Sequence, residues 1–271
     1  MTQHKQKAAI NPYRFAINAI LHRILWDIHP HSWLSRKKIR KWQDRYSGQK
    51  AVILCNGPSL NHVKFDNLSA SGVFTIGLNK INLLFGRSDF RPSVIVAVNP
   101  HVIEQNAEFY NHTDLPLFID SKSRRWVSFR ETVHYLHSVE WAGDFARDCS
   151  ISINQGYTVT YVAMQLAFHM GFKEVALVGC DHSFTTQGPA NRTVVAEEKD
   201  HNHFDPGYFS GGVKWQLPDL LQSEAHYKIA RENFEKYGRR VVDCTHGGKL
   251  KVFERMPLGD FLGSTKKDAI G

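Results

Sequence analysis

Six short apolar runs constrain this chain more than any other feature. They occupy residues 51–55, 73–78, 93–98, 115–119, 174–179 and 240–243. Runs of this length without polar alternation suit strands buried on both faces, as in a parallel sheet. Helix-like stretches lie between them. In residues 157–170, Val159, Val162, Ala163, Leu166, Ala167 and Met170 recur at helical spacing, and Gly171 stands where a helix-ending glycine is expected. Strands alternating with helices predict an α/β fold, a doubly wound, mostly parallel, Rossmann-like sheet.

A second regularity lies at the ends of these runs. Asn56, Asn79, Asn99 and Asp181 each follow an apolar run. Open α/β sheets bind ligands outside the carboxyl ends of their strands. One strand-end Asn is ordinarily a turn former. Several in corresponding positions predict a shared crevice, with Asn56, Asn79, Asn99 and Asp181 facing ligand.

Ahead of the first run, residues 10–48 read as amphipathic helix. Phe15, Ile17, Ile20, Leu21, Ile24, Leu25 and Trp26 fall at near-helical spacing, Pro30 interrupts, and Ser35 is a candidate cap for a basic helix from Arg36 to Tyr46. The net charge of +8 concentrates in this segment. Two readings stand: an arm resting on an anionic membrane surface, or two helices packed on the core with basic outer faces. The expected organisation is a basic helical arm over 1–49, a nucleotide-binding catalytic domain over 50–262 and a tail over 263–271. Cys55, Cys149, Cys180 and Cys244 form no CxxC pair, which predicts free thiols in a reducing compartment. Neither a signal peptide nor an apolar run of spanning length is visible, so the expected location is cytoplasmic, with peripheral contact at the inner face of the membrane.

Five segments can carry chemistry. Asn56-Gly57-Pro58-Ser59 follows the first strand and fits neither the Walker A nor the dinucleotide glycine pattern. Gly57 permits close backbone approach, and Ser59 opens a helix that can donate to an anion; a plain turn fits equally. Gln155, Gly156 and Thr158 precede the apolar helix and read either as a ligand-facing helix start or as a simple cap. Asp181 suits a Mg²⁺ ion or a sugar hydroxyl, and His182 reads as a base or as a packed ring. Residues 200–205 contain His201 and His203, candidate general bases on a loop. Residues 243–250 bring two glycines and Lys249, a phosphate grip or a tight turn.

Together these segments resemble one superfamily: Campylobacter-type bacterial sialyltransferases, 6-hydroxymethylpterin diphosphokinase MptE-like proteins and motility accessory factors. The resemblance runs over roughly residues 50–262. Its carriers are residues 53–60, Asn79, Asn99-Pro100, residues 171–181, Asp200-His201-Asn202-His203-Phe204 and residues 243–258. The last two most resemble the MptE-like branch. The sialyltransferase branch implies a CMP-linked acidic sugar held by the Asn-Gly-Pro-Ser loop and the strand-end Asn residues, with His203 as base. Those enzymes place tyrosines after the Asp strand to stabilise the departing phosphate. This chain has Ser183 at the first such position, which leaves Lys249, Arg192 or a metal at Asp181 for that task. The diphosphokinase branch implies ATP, Mg²⁺ at Asp181, and a flat pterin slot lined by Phe184, Tyr208 or Trp215.

The expectation is a transferase, glycosyltransferase-like, acting in cell-surface polysaccharide or glycoconjugate assembly on a nucleotide donor and a small-molecule or glycan acceptor. Its catalytic residues are His203, Asp181 and His201. The ligand-binding set is Asn56, Gly57, Ser59, Asn79, Asn99, Gln155, Gly156, Thr158 and Lys249, with Asp181 as metal ligand. The alternatives are an ATP- and Mg²⁺-dependent pterin diphosphokinase and a non-catalytic binder of anionic surfaces. Nucleic acid is not expected as a partner, and an oligomer is left open.

Overall fold

The computed structural model describes residues 11–139, 144–183, 192–195, 200–209 and 213–263. Phe184, the side chain of Trp215 and residues 264–271 lie outside the described residues.

The chain opens with helices α1 (Pro12–Asp27) and α2 (Pro30–Arg40), then enters strand β1 (Lys50–Leu54). Helix α3 (Phe65–Ser71), β2 (Phe74–Leu78), β3 (Val94–Ala97), α4 (Pro100–Gln105), α5 (Ala107–His112), β4 (Leu117–Asp120) and β5 (Val133–Leu136) follow. Next come the short strands β6 (Ser138–Val139) and β7 (Ile153–Asn154), helix α6 (Val159–His169) and β8 (Glu174–Val178). The chain then forms β9 (Thr193–Val195), β10 (Lys214–Gln216), α7 (Leu220–Lys236), β11 (Arg240–Asp243), β12 (Glu254–Arg255) and α8 (Leu258–Gly263).

Eight strands form one sheet in the order β12-β11-β8-β1-β2-β3-β4-β5, and every pairing in it is parallel. This is the doubly wound sheet expected from the apolar runs. Alternate residues of one strand enter opposite cores. Ile53, Ile76, Val94 and Val96 join the cluster on the α6 and α7 side. Val52, Leu54, Ile95 and Ala97 join the cluster on the α4 and α5 side. A strand buried on both faces has no reason to alternate apolar with polar residues. Burying each Val, Ile or Leu contributes about 1.5–3 kcal/mol, which makes the centre of the sheet the anchor of the fold.

The two-residue strand β12 and the strand β5 are additions to the expected set. His134 at the centre of β5 hides that strand in the sequence. The buried ring stacks on Phe118 at 4.5 Å and takes the Trp42 indole N–H at 3.1 Å. Burial pushes its pKa down to about 4, so the imidazole is neutral and can accept that bond.

Ser35 does not cap a helix. Pro30 occupies the first turn of α2, where its fixed φ is pre-organised, and the helix runs through Ser35. The Ser35 hydroxyl instead accepts the Tyr135 N–H at 3.2 Å, pinning α2 to β5. The turns after α2 are also tied down, Asp44 N donating to His169 O and Tyr46 N to Met170 O. All four cysteines are free and buried. Among the described residues no helix is long and apolar enough to cross a membrane.

Candidate functional site

The strand order reverses at β1. Strands β2 to β5 extend from one of its sides, and β8, β11 and β12 from the other. The crevice beyond such a reversal is where open α/β sheets place ligands. Here it is a cleft of about 970 Å³.

Two loops clasp each other at its floor. Gly57 N donates to Gly179 O at 2.9 Å, and one Asp181 oxygen accepts from Ser59 N at 3.2 Å and Ser59 Oγ at 2.8 Å. The clasp explains Gly57. A Cβ there would lie 1.9 Å from Asp181 Oδ2 and 2.6 Å from Gly179 O. The glycine therefore permits approach of the neighbouring loop itself. Gly179, at φ +74°, meets the same limit from the other side, where a Cβ would lie 2.7 Å from Cys55 O.

A third loop, residues 200–209, closes over the ends of β1 and β2. Phe204 N donates to Asn56 O at 2.9 Å, and Asn61 Nδ2 donates to Phe204 O at 2.9 Å. Buried Lys80 donates to Tyr208 O at 2.7 Å and to Gln105 Oε1 at 2.8 Å. Burial lowers the Lys80 pKa to about 8, and the nearby Asp200 carboxylate opposes the fall. Within this loop His203 Nδ1 meets Asp200 Oδ2 at 2.7 Å, and the ring stacks on Tyr208 at 4.0 Å with planes 2° apart. Burial alone would raise the Asp200 carboxyl. The bonds from His203, Asn202 N and Phe209 N outweigh it and hold the group below its usual range. A carboxylate on Nδ1 fixes the neutral tautomer that carries its lone pair on Nε2, the form a general base requires.

Asn56, Gly57, Asn79, Asn99, Gln155, Gly156, Thr158, Asp181 and His203 all line this one cleft. Asn56 is buried, and among the described residues its Oδ1 has no hydrogen-bond partner; Asn79 Oδ1 has none among them either. Buried acceptors of this kind are costly unless something donates to them. Asn99 and Thr158 also have structural duties, capping α4 and α6. Gln155 donates to Ser138 Oγ at 2.7 Å, and Ser138 in turn donates to Asp120.

Four residues expected at the site sit elsewhere. His201 is exposed and does not line the cleft. The Lys249 side chain is exposed too; its main-chain N–H instead holds Asp181 O at 2.9 Å. Ser59 spends its hydroxyl on Asp181 and lines a separate cavity of about 580 Å³ with His62, Asp243 and His246. Arg192 is exposed and lines neither cavity.

The cleft also contains residues not singled out in the sequence, among them His101, Lys122 and Tyr227. Asp120, buried in its wall, has its carboxyl pushed up by desolvation. Its position at the end of β4 continues the Asn56, Asn79, Asn99 series, so the signal was present. His182 lines the cleft and pairs with Glu224 at 3.0 Å. Backbone strain is a further signal, invisible in sequence. Among the described residues four non-glycine residues have positive φ, and three of them, Asn79, Tyr157 and His182, line the cleft. Strain of this kind concentrates at ligand sites.

No group of three His, Cys, Asp or Glu side chains suited to a metal ion occurs among the described residues. A Mg²⁺ ion at Asp181 would take one carboxylate oxygen from the protein and its other oxygens from ligand phosphates and water, an arrangement this ion accepts.

The fold and cleft define an α/β protein of the open-sheet, strand-end ligand class. Within that class, the chain belongs to the 6-hydroxymethylpterin diphosphokinase MptE-like family, which it matches over residues 31–187. The match begins in α2 and ends just past the Asp181 loop, so the 200–209 loop lies beyond it. Among solved structures, the MAf glycosyltransferase from Magnetospirillum magneticum AMB-1 is similar at 15% identity and a TM-score of 0.48. That alignment covers 83% of this chain and 38% of the other. No curated protein matches the sequence.

Proposed function

We propose that the cleft binds a nucleotide-activated sugar and transfers the sugar to an acceptor hydroxyl, with His203 as the general base. The observation that carries this reading is the Asp200–His203 pair in one cleft with the Asn56 and Asn79 oxygens, which have no partner among the described residues. The asparagine acceptors suit the N–H and O–H groups of a base or ribose. The N-terminus of α6, capped by Thr158 at the cleft wall, suits phosphate.

In the proposed step the acceptor oxygen attacks the anomeric carbon of the donor. Its proton passes to His203 Nε2, and the bond from that carbon to the phosphate oxygen breaks, releasing the nucleotide. Asp200 acts through His203 and is a positioning residue. The CMP-linked acidic sugar is the donor this reading takes first.

The family match favours a second reading, ATP-dependent diphosphoryl transfer to a pterin. There a hydroxymethyl oxygen would attack the β-phosphorus, its proton passing to His203, and the bond from that phosphorus to the α-phosphate oxygen would break to release AMP; Asp181 would hold a Mg²⁺ ion, which would supply charge neutralisation at the phosphates.

Thermal unfolding with CMP, CDP, UDP, GDP, AMP and ATP, each with and without Mg²⁺, separates the two. Ligands that bind the native state raise its melting temperature. A rise with a cytidine nucleotide that needs no metal supports sugar transfer. A rise with ATP alone, and only with Mg²⁺, transfers the assignment to the second reading. No rise with any of them removes both.

A further inference from the structure

Helix α1 is amphipathic in the wrong sense for a helix of a lone soluble domain. Only Trp26 is buried. Tyr13, Ile17, Ile20, Ile24, Leu25 and Ile28 are between 51% and 79% exposed. At 3.6 residues per turn these six fall within about 140° of the circumference, one continuous stripe facing away from the protein. Trp33 and Leu34 at the start of α2, both exposed, extend the apolar surface around the corner between the helices. Scattered exposed apolar residues are ordinary; a contiguous stripe of large ones marks a contact surface.

The charge around the stripe selects its partner. Residues 11–49 contain eight Lys and Arg against two Asp and no Glu. Both acids are engaged, Asp27 by Arg23 and Arg36, and Asp44 by Arg239. Lys37 and Lys41 are exposed and follow Trp33 at intervals of four residues, on one face of α2. A second copy of the chain would bring the same positive charge to the interface. A broad apolar stripe edged by lysines, with an exposed Trp at its margin, instead matches a bilayer whose headgroups are anionic.

We infer that α1 and the exposed face of α2 dock the protein on an anionic lipid surface, α1 lying in the plane of the headgroups. The ligand cleft is brought to the same surface. On the protein side of α1, Phe15 lines the cleft, and the His22 ring packs on His137 just beyond β5 at 5.2 Å. The helix therefore lies along the carboxyl edge of the sheet, beside the cleft mouth. The inference is independent of which transfer the cleft performs.

Flotation of the full chain with phosphatidylcholine vesicles, with and without phosphatidylglycerol, tests it. Binding is expected only with the anionic lipid and is expected to fall as salt rises. Lys37→Glu with Lys41→Glu should weaken it by more than tenfold, since each lysine near such a surface contributes about fivefold. Ile17→Gln with Ile24→Gln should abolish it while leaving the melting temperature and the nucleotide-induced shift unchanged, because both side chains are exposed. Wild-type protein that does not float with anionic vesicles, or an Ile17→Gln, Ile24→Gln variant that floats as well as wild type, overturns the inference. So does a dimer in sedimentation equilibrium that this variant dissolves, because the stripe would then be an interface between copies.

Discussion

At the scale of single residues, His203 and Asp200 divide one task. The imidazole lines the cleft, and the carboxylate on Nδ1 sets its tautomer. His203→Ala should abolish turnover and preserve the nucleotide-induced rise in melting temperature. Asp200→Asn should lower kcat by about 10²- to 10⁴-fold at unchanged nucleotide affinity, through loss of the orienting bond, with partial recovery in Asp200→Glu. Single-turnover rates beside melting curves measure both effects. Equal kcat in wild type and His203→Ala would remove the base from the mechanism. His203 was legible in the sequence, because a His-rich loop beyond a strand-end Asp is a place for acid–base chemistry. Its neighbour His201 was equally legible, yet it points to solvent. Which of two histidines faces a cleft depends on what pins the loop, here Phe204 on Asn56 and Tyr208 on Lys80. Those are contacts across 128 to 148 residues of chain, and no local pattern encodes them.

At the scale of elements, six of the eight strands of the sheet were readable and the clasps between their loops were not. A strand buried on both faces announces itself as an apolar run, so β1, β2, β3, β4, β8 and β11 were all anticipated. Strand β5 was masked by His134, whose burial depends on a Trp42 indole distant in sequence. The loop after β1 was recognisable as a site, but the reason for its glycine was not: the close approach is to Asp181 and Gly179 of the β8 loop. Gly57→Ala tests this. The new methyl group must displace backbone, and overpacking of this kind costs about 1–3 kcal/mol. At about 2–4 °C per kcal/mol for a chain of this size, the melting temperature should fall by several degrees. Because Asp181 and the start of the following turn must move together, the nucleotide-induced shift should fall in the same variant. A Gly57→Ala protein with wild-type stability would mean that the two loops do not meet as described.

At the scale of the whole molecule, the sheet and the N-terminal helices differ in how firmly they are held. Central strands β1 and β8 pair on both edges and bury residues on both faces, so their amides can exchange only when the whole domain opens. Helix α1 buries Trp26 and is otherwise held by a few polar contacts, chiefly Arg23 to Ile151 O and Ser152 Oγ. Its hydrogen bonds are largely open to water, and it should open locally, well below the free energy of global unfolding. Native-state hydrogen exchange is expected to rank the amides of residues 52–54 and 175–177 slowest, with those of α1 among the fastest. Anionic vesicles should slow exchange in α1 and leave the central strands unchanged, since a lipid surface covers the helix without touching the sheet. Nucleotide should slow exchange over residues 200–209 and leave residues 24–27 of α1, at the other end of the helix from Phe15, unchanged. If α1 were already as protected as β1 without lipid, its outer stripe would have to be covered by protein, and the lipid-facing assignment would fall. If lipid and nucleotide each slowed only its own segment, cleft and docking face would be two separately addressable parts of one rigid frame.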